Sequence, residues 1–169
     1  MTDVHSPERR SNNMRAIRSK NTAPEIQIRK LLFTLGFRYR LHVRGMPGKP
    51  DLVLAKHRIV VFVHGCFWHG HGCYLFRLPQ TRPEFWKTKI EQNRLRDVRD
   101  VDALVKAGWR VITVWECAVK GRLRWTDKNL GRFLQSVIPV NENSEPVVEI
   151  RHVTGDAEPD SDMSSAENR

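Results

Sequence analysis

The chain has 169 residues, 40% of them hydrophobic and 28% charged, which is room for one compact core and little more. Its 29 Lys and Arg face 19 Asp and Glu; eight of the acids and two of the arginines lie from Val140 onward, so residues 1–139 hold 27 basic against 11 acidic side chains. That surplus is a polyanion binder's balance, while the lack of a long apolar run or apolar leader and the three cysteines argue against a membrane protein, a secreted protein and a disulfide scaffold.

Residues 1–20 form an arginine-rich arm in which Met14 and Ile17 are spaced to share one face of a short helix. Thr22-Ala-Pro-Glu25 reads as a capped helix start before Ile28, Leu31, Leu32 and Leu35, with Gly36 as the stop. Phe37–Val43 suits a strand. The prolines and glycines of residues 45–50 then force a loop. Leu52–Leu54 and Ile59–Val63, separated by the polar Lys56-His-Arg58, read as an antiparallel pair inside the core. His64–Cys73 is loop by its glycines. Thr81-Arg-Pro-Glu84 repeats the capping pattern and opens a long helix with Ile90, Val98, Val101, Leu104 and Val105 as its apolar side, ended by Gly108. Trp109–Trp115 is a further core strand, and Thr126-Asp127 caps a last amphipathic helix. Beyond Pro139 the composition turns acidic and reads as disordered. These elements predict an α/β fold, a small mixed central sheet flanked by helices, built as an arm (1–20), a domain (21–139) and a tail (140–169).

The chemistry concentrates in the loop. Cys66, His71 and Cys73 lie within eight residues, and Cys117 follows the last core strand; three thiolates and an imidazole make a closed, structural zinc shell. Free cysteines are also common as small buried side chains, so spacing leaves that alternative open. Asp51 stands where loop meets strand and its partner strand ends at Val63-His64, an arrangement able to hold a hard cation such as Mg²⁺ with room for a phosphate. It equally suits a turn residue. His64 and His69 are left over from the zinc shell and are candidates for a general base, with exchange of roles with His71 open. Glu25 already has a reason to be acidic, its capping position. Phe67, Trp68 and Trp86, amid basic residues such as Arg82 and Lys87, are candidate wedges between stacked bases or simple core.

The segments Asn13–Ile17, Pro47–Asp51, His64–His69, Cys73–Phe76, Thr81–Trp86 and Val114–Cys117 together resemble the very short patch repair endonucleases. The resemblance spans about residues 9–138. It implies a restriction-endonuclease-like fold with a structural zinc site, and an Mg²⁺-dependent nick on the 5′ side of the thymine of a T:G mismatch left by deamination of 5-methylcytosine. The implied partner is double-stranded DNA bearing that mismatch. It also implies a monomer in the bacterial cytoplasm at the nucleoid, with mismatch-repair proteins and a repair polymerase cooperating. Residue by residue, it implies Asp51 as the Mg²⁺ ligand and His69 as the catalytic histidine, with His64 and Glu25 as supporting catalytic groups. It further implies Cys66, His71, Cys73 and Cys117 on zinc, and Met14, Ile17, Phe67, Trp68 and Trp86 on DNA. Two departures stand out. Where related folds carry an acid and a lysine, this chain has Val63 and Gly65, so Val63 offers a metal only its carbonyl. Gly70 and Gly72 interrupt a run of histidines found in some members. Two other readings remain at this stage: a zinc-braced DNA-binding module without catalysis, and a less selective restriction-type nuclease.

Overall fold

The structure, a computed structural model, describes residues 20–139 and 144–153. The arm with Met14 and Ile17, and the tail from residue 154, lie outside the described residues. Helix α1 (Ala23–Thr34) starts at the expected cap: the Thr22 hydroxyl accepts from the Glu25 backbone N–H at 3.4 Å and donates to the Glu25 carboxylate at 3.1 Å. It ends in a Schellman turn, with Gly36 N–H on the Phe33 carbonyl and Phe37 N–H on that of Leu32, and φ of +88° at Gly36. Gly108 ends the long helix α2 (Pro83–Lys106) in the same way, through Gly108 N–H on Val105 and Trp109 N–H on Leu104.

The five strands are β1 (Arg40–Leu41), β2 (Leu52–Leu54), β3 (Ile59–His64), β4 (Arg110–Trp115) and β5 (Val147–Ile150), in that order across one sheet. β1, β2 and β3 are antiparallel neighbours, and β3, β4 and β5 are parallel, so the sheet is mixed as expected. A short helix α3 (Glu116–Val119) continues directly from β4, and α4 (Asp127–Val137) starts with the Thr126 hydroxyl on the Asn129 N–H. On one face, Ile28 and Leu32 of α1 and Leu130 and Leu134 of α4 pack on Leu52, Leu54, Val61, Ile112 and Val114. On the other, Leu104, Val101 and Val105 of α2 cover Val53, Val60, Phe62 and Val111. The result is helix, sheet, helix in three layers.

Four expectations need correction. The strand foreseen over 37–43 is reduced to Arg40–Leu41, because His42 turns the chain at φ +47°. The second helix start lies one residue later than its capping pattern placed it: Arg82, at φ +53°, stands at the N-cap of α2 and makes no side-chain capping bond. Val98 is not core; it is 70% exposed, because α2 docks through Ile90 and Leu104.

The acidic segment also contains a strand. Val147–Ile150 pairs in parallel with β4, Val148 and Ile150 packing into the α1/α4 core. Arg110 ties the segment in by donating to the carbonyls of Val137, Ile138 and Glu145. Average composition conceals a four-residue stretch with three apolar side chains, whose stability comes from a sheet edge elsewhere in the chain. No described helix is long and apolar enough to cross a membrane.

Candidate active site and metal centre

The carboxyl end of β3, the loop after it and the start of α3 meet above the sheet. Cys66, His71 and Cys73 come from the loop and Cys117 from the first turn of α3, and their ligand atoms all lie within 4.8 Å of one another. Cys66 Sγ and Cys117 Sγ are 3.5 and 3.4 Å from His71 Nδ1. Backbone bonds bend the loop to this shape, His71 N–H to the Cys66 carbonyl at 2.9 Å and Cys73 N–H to that of His71 at 2.8 Å. Trp115 lies flat on the His71 ring, centroids 4.2 Å apart. Burial pushes the Cys66 and Cys117 thiols up and the His71 imidazole down, each toward its neutral form. Such a cluster could hold a metal ion, and an ion would supply the positive charge that makes thiolates affordable there.

Beside it lies a cavity of about 420 Å³ lined by Thr22, Pro24, Glu25, Asp51, Val63, His64, Gly65, Trp68, His69 and Glu116. Every residue singled out for hydrolysis is therefore on one wall or another of this cavity. Asp51, just before β2, accepts the Val63 backbone N–H at 2.8 Å. Burial, with the negative charge of Glu25 adding to it, pushes the Asp51 carboxyl up to about 6. Glu25 is 3% exposed and is held by the Asn21 N–H, the Thr22 hydroxyl and the Arg29 guanidinium at 2.8 Å. Capping and pocket lining are thus compatible tasks for one carboxylate.

His64, at the end of β3, stacks on His69 with centroids 3.8 Å apart and planes 3° from parallel. Two charged rings would repel at that distance. Burial, with the His69 ring adding to it, lowers the His64 pKa to about 3 and holds that ring neutral. His69 Nδ1 lies 2.5 Å from Asp97 Oδ2, a carboxylate delivered by the middle of α2. An acceptor at Nδ1 puts the ring proton there and leaves Nε2 with its lone pair.

Asp97 was not among the residues picked out by sequence, nor was Glu116, which takes the Cys66 N–H and the Lys120 ammonium. A signal for Asp97 does exist. Ile90, Asn93, Asp97, Val101 and Leu104 repeat every three or four residues, so two polar side chains sit within the buried stripe of α2. Asn93 donates to the Trp68 carbonyl at 2.8 Å and Asp97 meets His69; both fasten the loop to the helix. Asp97→Asn is expected to lower kcat of the nuclease by about 10²-fold while leaving KM nearly unchanged, since His69 loses its orienting carboxylate and the DNA surface is untouched. A change confined to KM would contradict this.

The aromatic residues form a group of their own. Phe67 touches Trp68 and Trp86 edge to face at 5.1 and 5.2 Å, and Phe76 and Phe85 extend the group. Phe67, Trp68 and Trp86 are half-buried rather than fully presented, each ring propping the next. Trp68 also lines the cavity, so the group adjoins the carboxylates and histidines.

Comparison with known proteins gives the chain its relatives. A family model for the DNA mismatch endonuclease Vsr matches residues 2–75. The chain is 49% identical over 138 residues to the DNA mismatch endonuclease Vsr of Escherichia coli (strain K12), covering 82% of this chain and 88% of that one. It is 52% identical over 130 residues to the type II nicking enzyme V.XorIIP of Xanthomonas oryzae pv. oryzae, covering 73% and 96%. It is 47% identical over 122 residues to the type II nicking enzyme V.NmeAIP of Neisseria meningitidis serogroup A, covering 72% and 87%. Likeness of this degree, over nearly the whole of two of those relatives, means that the chain belongs to the Vsr family of very short patch repair endonucleases and is a DNA-hydrolysing nuclease of mismatch repair.

Proposed function

We propose that the protein nicks duplex DNA on the 5′ side of a thymine mispaired with guanine, by Mg²⁺-dependent phosphodiester hydrolysis on a restriction-endonuclease-like fold, opening the strand to a repair polymerase. The observation that carries this reading is that Asp51, Glu25, His64 and His69 share one cavity with Trp68, so hydrolytic groups and stacking rings meet at one place. The nicking enzymes among the relatives favour cutting of a single strand.

The donor set suits the two metals. Zn²⁺ bound tetrahedrally, about 2.3 Å from sulfur and 2.0–2.1 Å from nitrogen, spaces neighbouring S and N donors by about 3.5 Å. The 3.5 and 3.4 Å separations around His71 match this. Four protein ligands close the shell, so the zinc role is structural. In the cavity, the buried Asp51 carboxylate lies near a second acid, Glu25, and the neutral His64 imidazole, an excess of negative charge that a hard dication relieves. Asp51 and the Val63 carbonyl would hold Mg²⁺, which when bound would neutralise charge developing on the phosphate.

His69 takes the proton of the attacking water at Nε2, and Asp97 stabilises the imidazolium that results. His64, kept neutral, supports His69 from its other face and can donate to a phosphate oxygen. Phe67, Trp68 and Trp86 enter the base stack beside the mismatch. A mismatched step is already poorly stacked, so opening it costs less than opening a paired step, and selectivity follows from that difference.

A nicking assay on T:G and matched duplexes, with Mg²⁺ or with EDTA, tests the proposal. The expected result is a preference of about 10–100-fold for the mismatch and no cutting in EDTA. Equal cutting of both duplexes would establish the less selective nuclease instead, and undiminished cutting in EDTA would remove Mg²⁺ from the reaction.

A further inference from the structure

The stretch that follows β5 belongs to none of the ligand-bearing elements, yet it lies against the Cys/His cluster. The His152 backbone N–H donates to the sulfur of Cys117. The His152 ring packs edge-on against Tyr74 at 5.3 Å and approaches the His71 ring at 6.4 Å. Its buried Nδ1 has no hydrogen-bond partner among the described residues, so the ring contributes packing while the backbone contributes the polar contact. Two residues earlier Ile150 is 1% exposed, which anchors the segment in the core. The Trp125 indole N–H donates to the Arg151 carbonyl at 2.6 Å, and Val153 N–H donates to the Leu123 carbonyl at 2.9 Å, fixing the backbone on both sides of His152. Glu149, paired with Arg151, accepts the Trp115 indole N–H at 3.3 Å, and Trp115 is the ring that covers His71.

We propose that Glu149–Val153 is the closing wall of the metal centre: the His152 amide shields the Cys117 sulfur and Glu149 holds Trp115 over His71, so that metal retention depends on a segment that supplies no ligand. The inference rests on the reading that the cluster holds zinc. An N–H donor at a metal-bound thiolate draws off part of its charge, orients its lone pairs and blocks the approach of competing chelators. Partners of this outer kind change metal affinity by about 10–100-fold. The same wall braces the catalytic pair, because Trp115 touches His64 and His69 edge-on at 5.5 and 6.3 Å.

The decisive substitution is His152→Pro in the full-length chain, which deletes the backbone donor; His152→Ala keeps it and removes only the ring. The readout is the rate of zinc transfer to a chromophoric chelator. Transfer from H152P is expected to be about 10–100-fold faster than from the unaltered protein, with H152A close to the unaltered rate. Equal rates for H152P and the unaltered protein would overturn the proposal. Should H152P not fold, the unaltered protein loaded with ¹¹³Cd decides: a metal-to-proton correlation reaching the His152 amide supports the contact, and its absence overturns it. An unaltered protein that binds no zinc at all removes the zinc reading itself, which is a different failure from equal retention by the two chains.

Discussion

Asp51→Asn is expected to abolish nicking and, in metal-free protein at pH 8, to make the fold more stable. Both effects follow from one placement. The Asp51 carboxyl is buried, and its pKa is pushed up to about 6 from 3.8 by that burial and by Glu25. A raised folded-state pKa means that the native state binds the proton more tightly than the unfolded chain does. The stability associated with that proton is complete below pH 3.8 and is lost as pH rises through about 6. With a shift of roughly two units, the ionised carboxylate costs about 3 kcal/mol at neutral pH without metal. Asparagine is neutral and similar in shape, so it should recover about 1–3 kcal/mol of this. It cannot supply the anionic oxygen a dication needs, and the expected loss of kcat is at least about 10³-fold. Urea unfolding at pH 5 and pH 8, in EDTA, is the check. A stabilisation that is larger at pH 8 than at pH 5 supports the assignment, whereas D51N that is less stable at both pH values refutes it. On the proposed reading Mg²⁺ would reverse the cost, because the charge that burdens the metal-free protein is the one that would bind the ion.

The second large effect concerns the cluster. Cys117→Ser should reduce bound zinc from about one equivalent to a small fraction and destabilise the whole loop from Cys66 to Cys73, since a structural zinc contributes folding free energy on the order of 10 kcal/mol in small domains. Cys117 is the residue to change, because of the four cluster residues it is the one that comes from α3 and so links the cluster to a distant part of the chain. Elemental analysis of the purified variant and its thermal unfolding give the answer. If C117S keeps its metal and unfolds at the parent temperature, the four residues are merely buried neighbours. Loss of zinc should carry activity with it, because His69 and Trp68 stand in the same loop and take their positions from its shape.

Asp51 and Cys117 also mark how far the sequence could be read. The cap at Thr22, the Schellman glycines at 36 and 108 and the antiparallel pair Leu52–Leu54 with Ile59–His64 were legible because each depends on neighbours within a few residues. The convergence of the loop residues was legible for a similar reason: Cys66, His71 and Cys73 lie close enough in sequence to meet without a long-range fold. Cys117 was legible only as a possibility, since 44 residues separate it from Cys73 and the parallel pairing of β3 with β4 is what brings it back.

Three things were decided by tertiary structure alone. Val147–Ile150 became a strand because β4 offered an open edge and the core a place for Ile150, neither of which local composition records. Val98 lies exposed because α2 crosses the sheet on its Ile90 and Leu104 side, a choice between overlapping stripes that periodicity does not make. Asp97 reached His69 because the same docking turns the polar interruption of that stripe toward the loop. Chain-local physics thus sets caps, turns, strand alternation and the donor types of the loop. Which distant groups meet them depends on how helices and strands bury their faces together, a collective minimum that no short segment encodes by itself.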